Sequence, residues 1–389
     1  MTDIISAITT LPPRYPSARE QPTVDTWQEA PHSRWAFAHV HEFVPTTPIA
    51  AHSEPRHPIV SLDALIVTDL QARLDAAFTD AFVVVRDGSV VAEYYRAGFG
   101  RHDQHLLMSV SKSICGIAVA ALIDEGLIDA SMPVVEYLPE LIGSAYQSAT
   151  IQHVLDMTVA VAYDEDYTNP DSEVQQQDRV AGWRSMREGD PADTYAFLRT
   201  LRSTGAPGER FQYCSADTDV LAWLIEAVTG RRYADIVAER VWQRLGCTHD
   251  ASITVDRAGF TFANGGISCT ARDLARIGEL MLAGGMLNGE RIVSSAWVAH
   301  TLAGGDPRLA RGSAITKTHA NASYRNQWWS TGNDRCNVYA VGIYGQYVWL
   351  DPQTNTVIVK LSSCPEPVTV AWNDTHAALF RDVCEALER

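Results

Sequence analysis

The chain has 389 residues, of which 46% are hydrophobic and 20% are charged, and its formal net charge is −16 at pH 7. This size and apolar content predict one large core or two intimately joined domains. The sequence contains no cluster of Lys and Arg that could follow a phosphate backbone, which excludes nucleic acid as the expected partner. It also contains no run of about 18 apolar residues, so no membrane span is predicted.

The N-terminal region, residues 1–60, is rich in proline and lacks a helical or strand period. This composition predicts an extended strap that packs over the core through Trp27 and Trp35. The first residues, MTDIISAITTLPPRYPSAR, have neither the basic start nor the apolar stretch of a secretion signal. Seven scattered cysteines contain no CxxC pair. We therefore expect a cytoplasmic protein with reduced thiols.

The remaining chain has strand-rich ends and a helical middle. Residues 81–96 form two β-branched runs around Asp87-Gly88, which predicts a hairpin. Near the other end, NVYAVGIYGQYVWLDPQTNTVIVKLSS predicts two strands around an Asp351-Pro352 turn, followed by a closing helix. The pattern indicates an α/β (α+β) fold, in which 1–105 and 270–389 build one domain with a sheet and 106–269 form an inserted, mainly helical domain.

One segment of the helical region, residues 158–193, is polar and irregular. A loop of this length inside a compact domain is usually a lid or binding loop. We therefore predict that it covers a site. Its acidic run, Asp164, Glu165 and Asp166, is expected to be a solvated face.

Ser109 and Lys112 stand three residues apart in LLMSVSKSICGIAVAALIDEGLI, at the predicted start of an apolar helix. Residues i and i+3 share one face of a helix, and an apolar setting lowers the pKa of a lysine. A neutral Lys112 could then accept the Ser109 proton and activate the hydroxyl as a nucleophile. The free N–H groups at the helix start would stabilise an oxyanion. By itself, however, an S-x-x-K spacing also arises by chance.

Tyr213 precedes a second amphipathic helix in RFQYCSADTDVLAWLIE. An aromatic residue at such a place usually belongs to the core or caps the helix. About a hundred residues after S-x-x-K, its phenol becomes a candidate for relaying a proton. The histidines and cysteines form neither an HExxH motif nor a mixed cluster, so no metal and no organic cofactor are expected.

The S-V-S-K box, the later Y-x-S box and the inserted helical region resemble the class C-like branch of the serine β-lactamase and penicillin-recognising superfamily. Within that branch the chain is similar, nearly end to end, to the 6-aminohexanoate-dimer hydrolases. The similar stretches include DTWQEAPHSRWAFA, LLMSVSKS, ALIDEGLID, DRVAGWR, FQYCSADTDVLAW, FANGGISCTARDLAR, QWWSTGN and VIVKLSS. The resemblance implies a β-lactamase-like fold and an amidase that uses an acyl-enzyme.

The resemblance also implies roles for individual residues. Ser109 matches the nucleophile, Lys112 its general base and Tyr213 the proton-relaying phenol. The backbone N–H groups of Ser109 and Ile343 match the oxyanion hole. The substrate-contacting positions that match are Tyr167, Asp178, Ser215, Asn264, Trp329 and Tyr344.

Chemical arguments support several of these positions. Asp178 is a natural partner for the free ammonium of a linear 6-aminohexanoate dimer. Tyr167 could hydrogen-bond the scissile amide from the lid, and Trp329 could wall a slot for methylenes. Ser215 stands where class C enzymes usually carry asparagine, and Tyr344 where histidine is expected. The K-T-G box is absent, which argues against β-lactam hydrolysis.

Other functions remain open on the sequence alone. A carboxylesterase acting on short-acyl esters could use the same Ser, Lys and Tyr without recognising an amine. A D-stereospecific peptidase, a β-lactamase and an inactive penicillin-binding-like interaction protein are further alternatives. The resemblance points to a small-molecule substrate and to a homodimer.

Overall fold

The computed structural model of the chain describes residues 22–52, 60–61, 67 and 69–388. The predicted N-terminal strap therefore lies partly outside the described residues. Its described part is less extended than expected, because it contains a short helix at Ser33–Ala36 and a strand at Thr46–Ile49. Trp27 is buried there, as predicted.

The α-helices are numbered in chain order: α1 Ser33–Ala36, α2 Leu70–Ala76, α3 Val110–Asp124, α4 Ile151–Leu155, α5 Glu173–Val180, α6 Thr194–Thr200, α7 Ser215–Thr229, α8 Tyr233–Val237, α9 Ala271–Leu282, α10 Ser295–Leu302 and α11 Val370–Leu387. Short 3-10 helices cover Val40–Glu42, Val134–Glu136, Pro139–Leu141 and Ala314–Lys317, and a π-helix covers Ala238–Trp242. Among the described residues, no helix is both long and apolar enough to cross a membrane.

The strands are β1 Thr46–Ile49, β2 Val60–Ser61, β3 Thr79–Arg86, β4 Ser89–Tyr95, β5 His105–Leu106, β6 Ala251–Thr254, β7 Ile267–Cys269, β8 Met286–Leu287, β9 Glu290–Arg291, β10 Ser323–Arg325, β11 Trp328–Ser330, β12 Val338–Gly342, β13 Gln346–Asp351 and β14 Thr356–Ser362. Eight of them form one sheet in the order β10-β11-β12-β13-β14-β3-β4-β2. All of its pairs are antiparallel except β2 with β4.

The large sheet is built from both ends of the chain, as the sequence predicts. Its centre is the pairing of β14 with β3, in which Ile358 lies opposite Val84. Successive side chains of a strand point to opposite faces. Accordingly, Val83 joins the core on the side of α9, whereas Phe82 packs with Phe380 of α11. The sheet is therefore covered by helices on both faces, and the fold is α/β as expected.

The two predicted hairpins differ in outcome. Asp87 and Gly88 have φ angles of 50° and 74° and form the tight turn between β3 and β4. The segment 337–363, however, contains three strands rather than two, because the chain also reverses between β12 and β13. Tyr344 and Gly345 adopt φ angles of 64° and 90° in this second turn. The turn was missed because its two glycines, Gly342 and Gly345, stand in a mostly apolar run without an Asn-Gly or Asp-Gly pair.

A second, four-stranded antiparallel sheet has the order β1-β6-β7-β5 and was not predicted. Its strands are two to four residues long, too short to show a period of two in the sequence. It joins segments from both sides of the predicted border at 105/106. Those domain borders stay a prediction.

The helical region contains the expected buried helix and an unexpected one. Residues Val110 to Leu122 of α3 are all buried, as its apolar sequence predicts. The segment 158–193 was predicted to be irregular, but α5 occupies its middle. The side chain of Ser172 caps α5 by accepting a hydrogen bond from the Gln175 backbone N–H. Val174 and Asp178 on this helix are buried, so tertiary contacts override its polar composition.

Candidate active site

Ser109 lies at the junction between the small sheet and helix α3. β5 ends at Leu106, and α3 begins at Val110 with Ser109 as its N-cap residue. Between them, Met108 is buried and has a φ of 48°, a conformation that costs free energy for a residue other than glycine. The hydrogen bond from the Leu107 N–H to the Ile267 carbonyl, 2.8 Å, holds the chain in this turn. The serine hydroxyl is thereby fixed at the start of a buried helix.

Lys112 is the immediate neighbour of the Ser109 hydroxyl. Its Nζ lies 2.8 Å from Ser109 Oγ and 2.7 Å from the carbonyl oxygen of Asn264. Burial lowers the pKa of Lys112 to about 8, although the carboxylates of Glu165 and Asp219 act in the opposite direction. A neutral amine can donate to Asn264 and still accept the Ser109 proton. The pair therefore has the geometry and the protonation balance of a nucleophile and its base.

The carbonyl that anchors Lys112 is itself held by Asp219 on α7. Asp219 accepts hydrogen bonds from the Asn264 N–H, at 3.1 Å, and from Asn264 Nδ2, at 2.8 Å. Gln177 of α5 donates to the same carboxylate at 2.6 Å. Burial raises the pKa of Asp219 to about 7. The side chain of Asn264 thus contacts Asp219, and its backbone, rather than its amide group, reaches Lys112.

Tyr213 covers the other side of the Ser109–Lys112 pair. Its ring centroid lies 5.3 Å from Lys112 Nζ, and both Tyr213 and Ser109 line the same cavity. The ring stacks on Trp329 at 5.5 Å with an interplanar angle of 19°. Burial raises the pKa of Tyr213, so the phenol carries its proton at neutral pH. Tyr213 therefore lies beside the Ser109–Lys112 pair, although about a hundred residues separate it from them in the sequence.

Ser109 and Ile343 line the same cavity, and each carries a backbone N–H group without an acceptor among the described residues. Across the described ranges, no hydrogen-bond acceptor lies opposite the N–H of Ser109 or that of Ile343. Gly342 brings them together, because a Cβ at this residue would lie 3.0 Å from the Ser109 nitrogen. Unpaired N–H groups directed at one point can stabilise a developing oxyanion.

The Ile343 peptide is clamped by the residues around it. Gln346 Nε2 donates to the Ile343 carbonyl at 3.2 Å and to the Ser362 carbonyl at 2.7 Å. The Ser362 N–H returns a bond to Gln346 Oε1 at 2.9 Å. Tyr344, with a φ of 64°, donates its N–H to Pro367 at 2.8 Å. The strained turn between β12 and β13 is therefore fixed to β14.

Gly342→Ala should remove most activity. The added Cβ would lie 2.6 Å from the Leu107 carbonyl oxygen and 2.9 Å from Met108 Cβ. Relief of this overlap must push β12 away from the start of α3 and separate the two N–H groups. We expect kcat to fall by about a hundredfold, the loss typical of one missing oxyanion donor, with KM changed less. Steady-state kinetics on a short-acyl p-nitrophenyl ester measures this.

The matched control is Gly205→Ala. The nearest atom to a Cβ at that position is Ala160 Cβ at 4.0 Å, an ordinary contact distance. This variant should retain the parent kcat. Equal activity of the two variants would contradict the close approach of β12 to Ser109.

A cavity of about 650 Å³ opens above Ser109. Its walls come from residues 165–168 of the predicted lid, from the segments around Tyr213 and Leu309, from the β12–β13 turn and from the start of α11. Of the predicted substrate-binding residues, Tyr167 and Trp329 line this cavity. The other four lie behind its wall: Asp178, Ser215, Asn264 and Tyr344. Within the described part of the chain, no group of three or more His, Cys, Asp or Glu could hold a metal ion.

Asp178 and Tyr344 have contacts that the sequence did not reveal. Arg184 Nε lies 3.4 Å from the Asp178 carboxylate. Burial raises the pKa of Asp178 to about 6, and Arg184 opposes this rise. The Tyr344 ring packs 5.1 Å from that of Phe37, in the cluster of the N-terminal region. Asp178 therefore acts on the cavity as a charge behind the wall.

Glu165 is the residue that sequence reasoning missed. It was expected to be solvated, but it is half-buried and lines the cavity beside Ser109. Its carboxylate accepts hydrogen bonds from Ser215 Oγ at 2.5 Å, the Ser215 N–H at 3.0 Å and the Tyr167 hydroxyl at 2.6 Å. Nothing distinguished it from its neighbours in the acidic run DED. Asp219 carried a clearer signal, because an acid on an apolar helix needs a partner.

Comparisons with known proteins show which proteins the chain is similar to. The beta-lactamase family model matches residues 67–380. The chain is 54% identical over 382 residues to the 6-aminohexanoate-dimer hydrolase of Paenarthrobacter ureafaciens, covering 97% of each chain. It is 29% identical over 211 residues to esterase EstB of Burkholderia gladioli, covering 48% of this chain and 52% of the esterase. A solved structure from Bacillus anthracis, named as a candidate 6-aminohexanoate-dimer hydrolase, superposes with a TM-score of 0.87 at 28% identity, covering 96% of this chain and 99% of its own.

Proposed function

The chain belongs to the beta-lactamase family, and on that basis we propose that it is a serine amidohydrolase that cleaves the linear 6-aminohexanoate dimer through an acyl-enzyme. The observation that carries the proposal is the contact of Lys112 Nζ with Ser109 Oγ at 2.8 Å, under two unpaired backbone N–H groups. The extensive identity to a 6-aminohexanoate-dimer hydrolase supports the choice of substrate.

Acylation begins when neutral Lys112 accepts the proton of Ser109 as Oγ attacks the amide carbonyl carbon. The carbonyl oxygen becomes an oxyanion and receives hydrogen bonds from the N–H groups of Ser109 and Ile343. Tyr213 donates its proton to the leaving amine nitrogen and is reprotonated from Lys112. The C–N bond breaks, one 6-aminohexanoate leaves, and a 6-aminohexanoyl ester remains on Ser109.

Deacylation uses the same groups, with a water molecule as the nucleophile and Ser109 Oγ as the leaving group. A water molecule enters the position of the departed amine and loses a proton to the Lys112–Tyr213 pair while its oxygen attacks the ester carbonyl. The second oxyanion occupies the same two N–H groups. Collapse of this intermediate returns a proton to Ser109 Oγ and releases the second 6-aminohexanoate.

Recognition of the ammonium end is assigned to the acidic side of the site. Glu165 lies on the cavity wall, and Asp178 contributes negative charge from behind it. Tyr167, whose hydroxyl donates to Glu165 at 2.6 Å, contacts the scissile amide in this proposal. Ser215 orients Glu165, Asn264 anchors Lys112, and Trp329 presents an apolar face to the methylenes.

A carboxylesterase is the second candidate, supported by the identity to esterase EstB. Ester cleavage requires the same nucleophile and oxyanion donors, but it needs neither an ammonium partner nor protonation of a poor leaving group. The two activities therefore differ in their dependence on the acidic side chains.

Glu165→Gln should separate these functions. Loss of the carboxylate removes a partner of the substrate ammonium, so kcat/KM on the linear dimer should fall by about tenfold or more, as expected for a lost charge-assisted contact. Hydrolysis of p-nitrophenyl acetate should remain within about threefold, because that ester carries no ammonium. The pKa of Lys112 should also fall, since Glu165 holds it up, so the rise of activity with pH should begin at lower pH. Both substrates are assayed across pH 5 to 10.

Asp178→Asn is the comparison variant. It should also lower kcat/KM on the linear dimer, but by less than Glu165→Gln does, because Arg184 already neutralises part of the Asp178 charge. Equal losses on the dimer and on the ester in both variants would contradict ammonium recognition at this side. Failure of the parent protein to cleave the dimer while cleaving the ester would favour the carboxylesterase.

We propose that the protein works in the cytoplasm and that it forms a homodimer. All seven cysteines lie within the described ranges and are free thiols, six of them buried, which fits a reducing compartment. The homodimer rests on the family resemblance and is tested by the mass of the protein in solution.

A further inference from the structure

The side chains along one wall of the cavity change from polar to apolar with increasing distance from Ser109. Tyr213, beside the nucleophile, stacks on Trp329. Trp329 in turn packs against Phe211 at 5.2 Å with an interplanar angle of 73°. All three rings line the cavity. The wall therefore offers first a phenol hydroxyl and then a continuous apolar surface.

Two arginines stand at the far part of this wall. Arg210 precedes Phe211, and Arg311 lies two residues after Leu309. The Phe211 N–H donates to the Leu309 carbonyl at 3.0 Å, which sets the two segments side by side. Both arginines line the cavity and are exposed. The positive charges of the cavity are thus gathered on one side.

Neither guanidinium is neutralised by an ion pair. Across the described ranges, Arg210 and Arg311 have no carboxylate within 4.0 Å. Within the described ranges, Arg210 donates only to Gln212 Oε1, at 3.2 Å. The nearby Asp306 pairs with Arg308 at 2.6 Å and interacts with Arg311 only through longer-range electrostatics. Two unpaired guanidinium groups on a protein with a net charge of −16 form a local site for an anion.

We propose that Arg210 and Arg311 bind the terminal carboxylate of the leaving unit of the substrate. The inference rests on the proposed amidase function and extends it to the second end of the molecule. The leaving nitrogen meets Tyr213, its methylene chain follows Trp329 and Phe211, and its carboxylate reaches the arginines. The order of groups on the wall matches the order of groups in the leaving 6-aminohexanoate. Acidic Glu165 on the lid serves the opposite, ammonium end.

The arginine site predicts a preference for an anionic leaving unit. The parent enzyme should cleave the linear dimer with a higher kcat/KM than the same dimer capped as its terminal carboxamide. Arg311→Gln and Arg210→Gln should each lower kcat/KM on the carboxylate form about threefold to fivefold, mainly through KM, which corresponds to an exposed ion pair. Neither should change kcat/KM on the carboxamide. Arg311→Lys, which keeps the charge, should retain most of the preference.

Arg257→Gln is the matched control, because Arg257 is an exposed arginine outside the cavity. It should leave both rates unchanged. Added sodium chloride should erase the parent's preference for the carboxylate form, since exposed charges are screened by salt.

A binding measurement separates this inference from the amidase proposal. 6-Acetamidohexanoate and its carboxamide are tested as competitive inhibitors of p-nitrophenyl acetate hydrolysis. A lower inhibition constant for the carboxylate, lost in Arg210→Gln/Arg311→Gln, supports the arginine site even if the dimer is not cleaved. Equal inhibition by both compounds overturns it even if the dimer is cleaved. Absence of dimer cleavage alone overturns the amidase proposal.

Discussion

Ser109→Ala should abolish turnover of both amide and ester substrates. The hydroxyl supplies the atom that becomes acylated, and neither Lys112 nor Tyr213 can replace it at the oxyanion site. We expect kcat to fall by at least about 10⁴-fold, as for the loss of a nucleophile in other serine hydrolases. Mass spectrometry after mixing with p-nitrophenyl acetate should show a mass increase of one acetyl group on the parent protein and none on the variant.

Ser113→Ala is the internal control for this experiment. Ser113 belongs to the same helix, but its hydroxyl donates to the Gln327 carbonyl at 2.6 Å, away from the cavity. Its loss should lower the free energy of unfolding by about 1 kcal/mol and leave acylation intact. An acetyl adduct on Ser109→Ala, or full activity of that variant, would exclude Ser109 as the nucleophile.

Lys112→Arg should be almost as damaging, because arginine keeps its charge at all accessible pH values. A charged guanidinium cannot take the Ser109 proton, so kcat/KM should drop by about 10³-fold, within the range for a lost general base. In the parent protein only the neutral form of Lys112 is active. Activity should therefore rise about tenfold per pH unit at low pH and level off above the Lys112 pKa of about 8.

Lys317→Arg provides the control, since Lys317 lies in a short 3-10 helix and does not line the cavity. It should reproduce the parent pH profile. A parent profile that is flat from pH 6 to 9, or one that falls with rising pH through this range, would contradict a neutral lysine as the base.

The contact between Ser109 and Lys112 at the proposed catalytic centre was predictable from the sequence because its signals are local. Ser109 and Lys112 share one helical turn, so their spacing alone places them together. The apolar residues that follow indicate that the helix is buried, and this burial lowers the pKa of Lys112. Tyr213 required more than spacing, because its approach to Ser109 depends on how α7 packs on α3. Only the family resemblance brought it into the site.

The large sheet was predictable for a similar reason. Its strands β3 and β4 are long, β-branched and joined by Asp87-Gly88, which is a strong turn signal. The turn at Tyr344-Gly345 was missed because its conformation is imposed by contacts distant in sequence, among them Gln346 with Ser362 and Tyr344 with Pro367. The short strands of the small sheet likewise exist only through their partners.

The surroundings of the nucleophile were the least predictable part. Glu165 looked like one of three solvated acids, yet its position is set by Ser215 and Tyr167. Asp178 was expected on the cavity wall but lies behind it with Arg184. In both cases the side chain's role depends on which neighbour satisfies its charge. A linear sequence does not show that neighbour.

Because β14 pairs with β3, the protein can complete its large sheet, and with it the proposed active site, only late in its synthesis. The ribosome makes β3 and Ser109 early, whereas Ile343 and β14, the strand that joins the two halves of the sheet, are made near the end. A nascent chain therefore carries a serine and a lysine without the second oxyanion donor. Premature termination before Ile343 should yield an inert fragment that also lacks β14, so that its β3 edge is open to association with other strands.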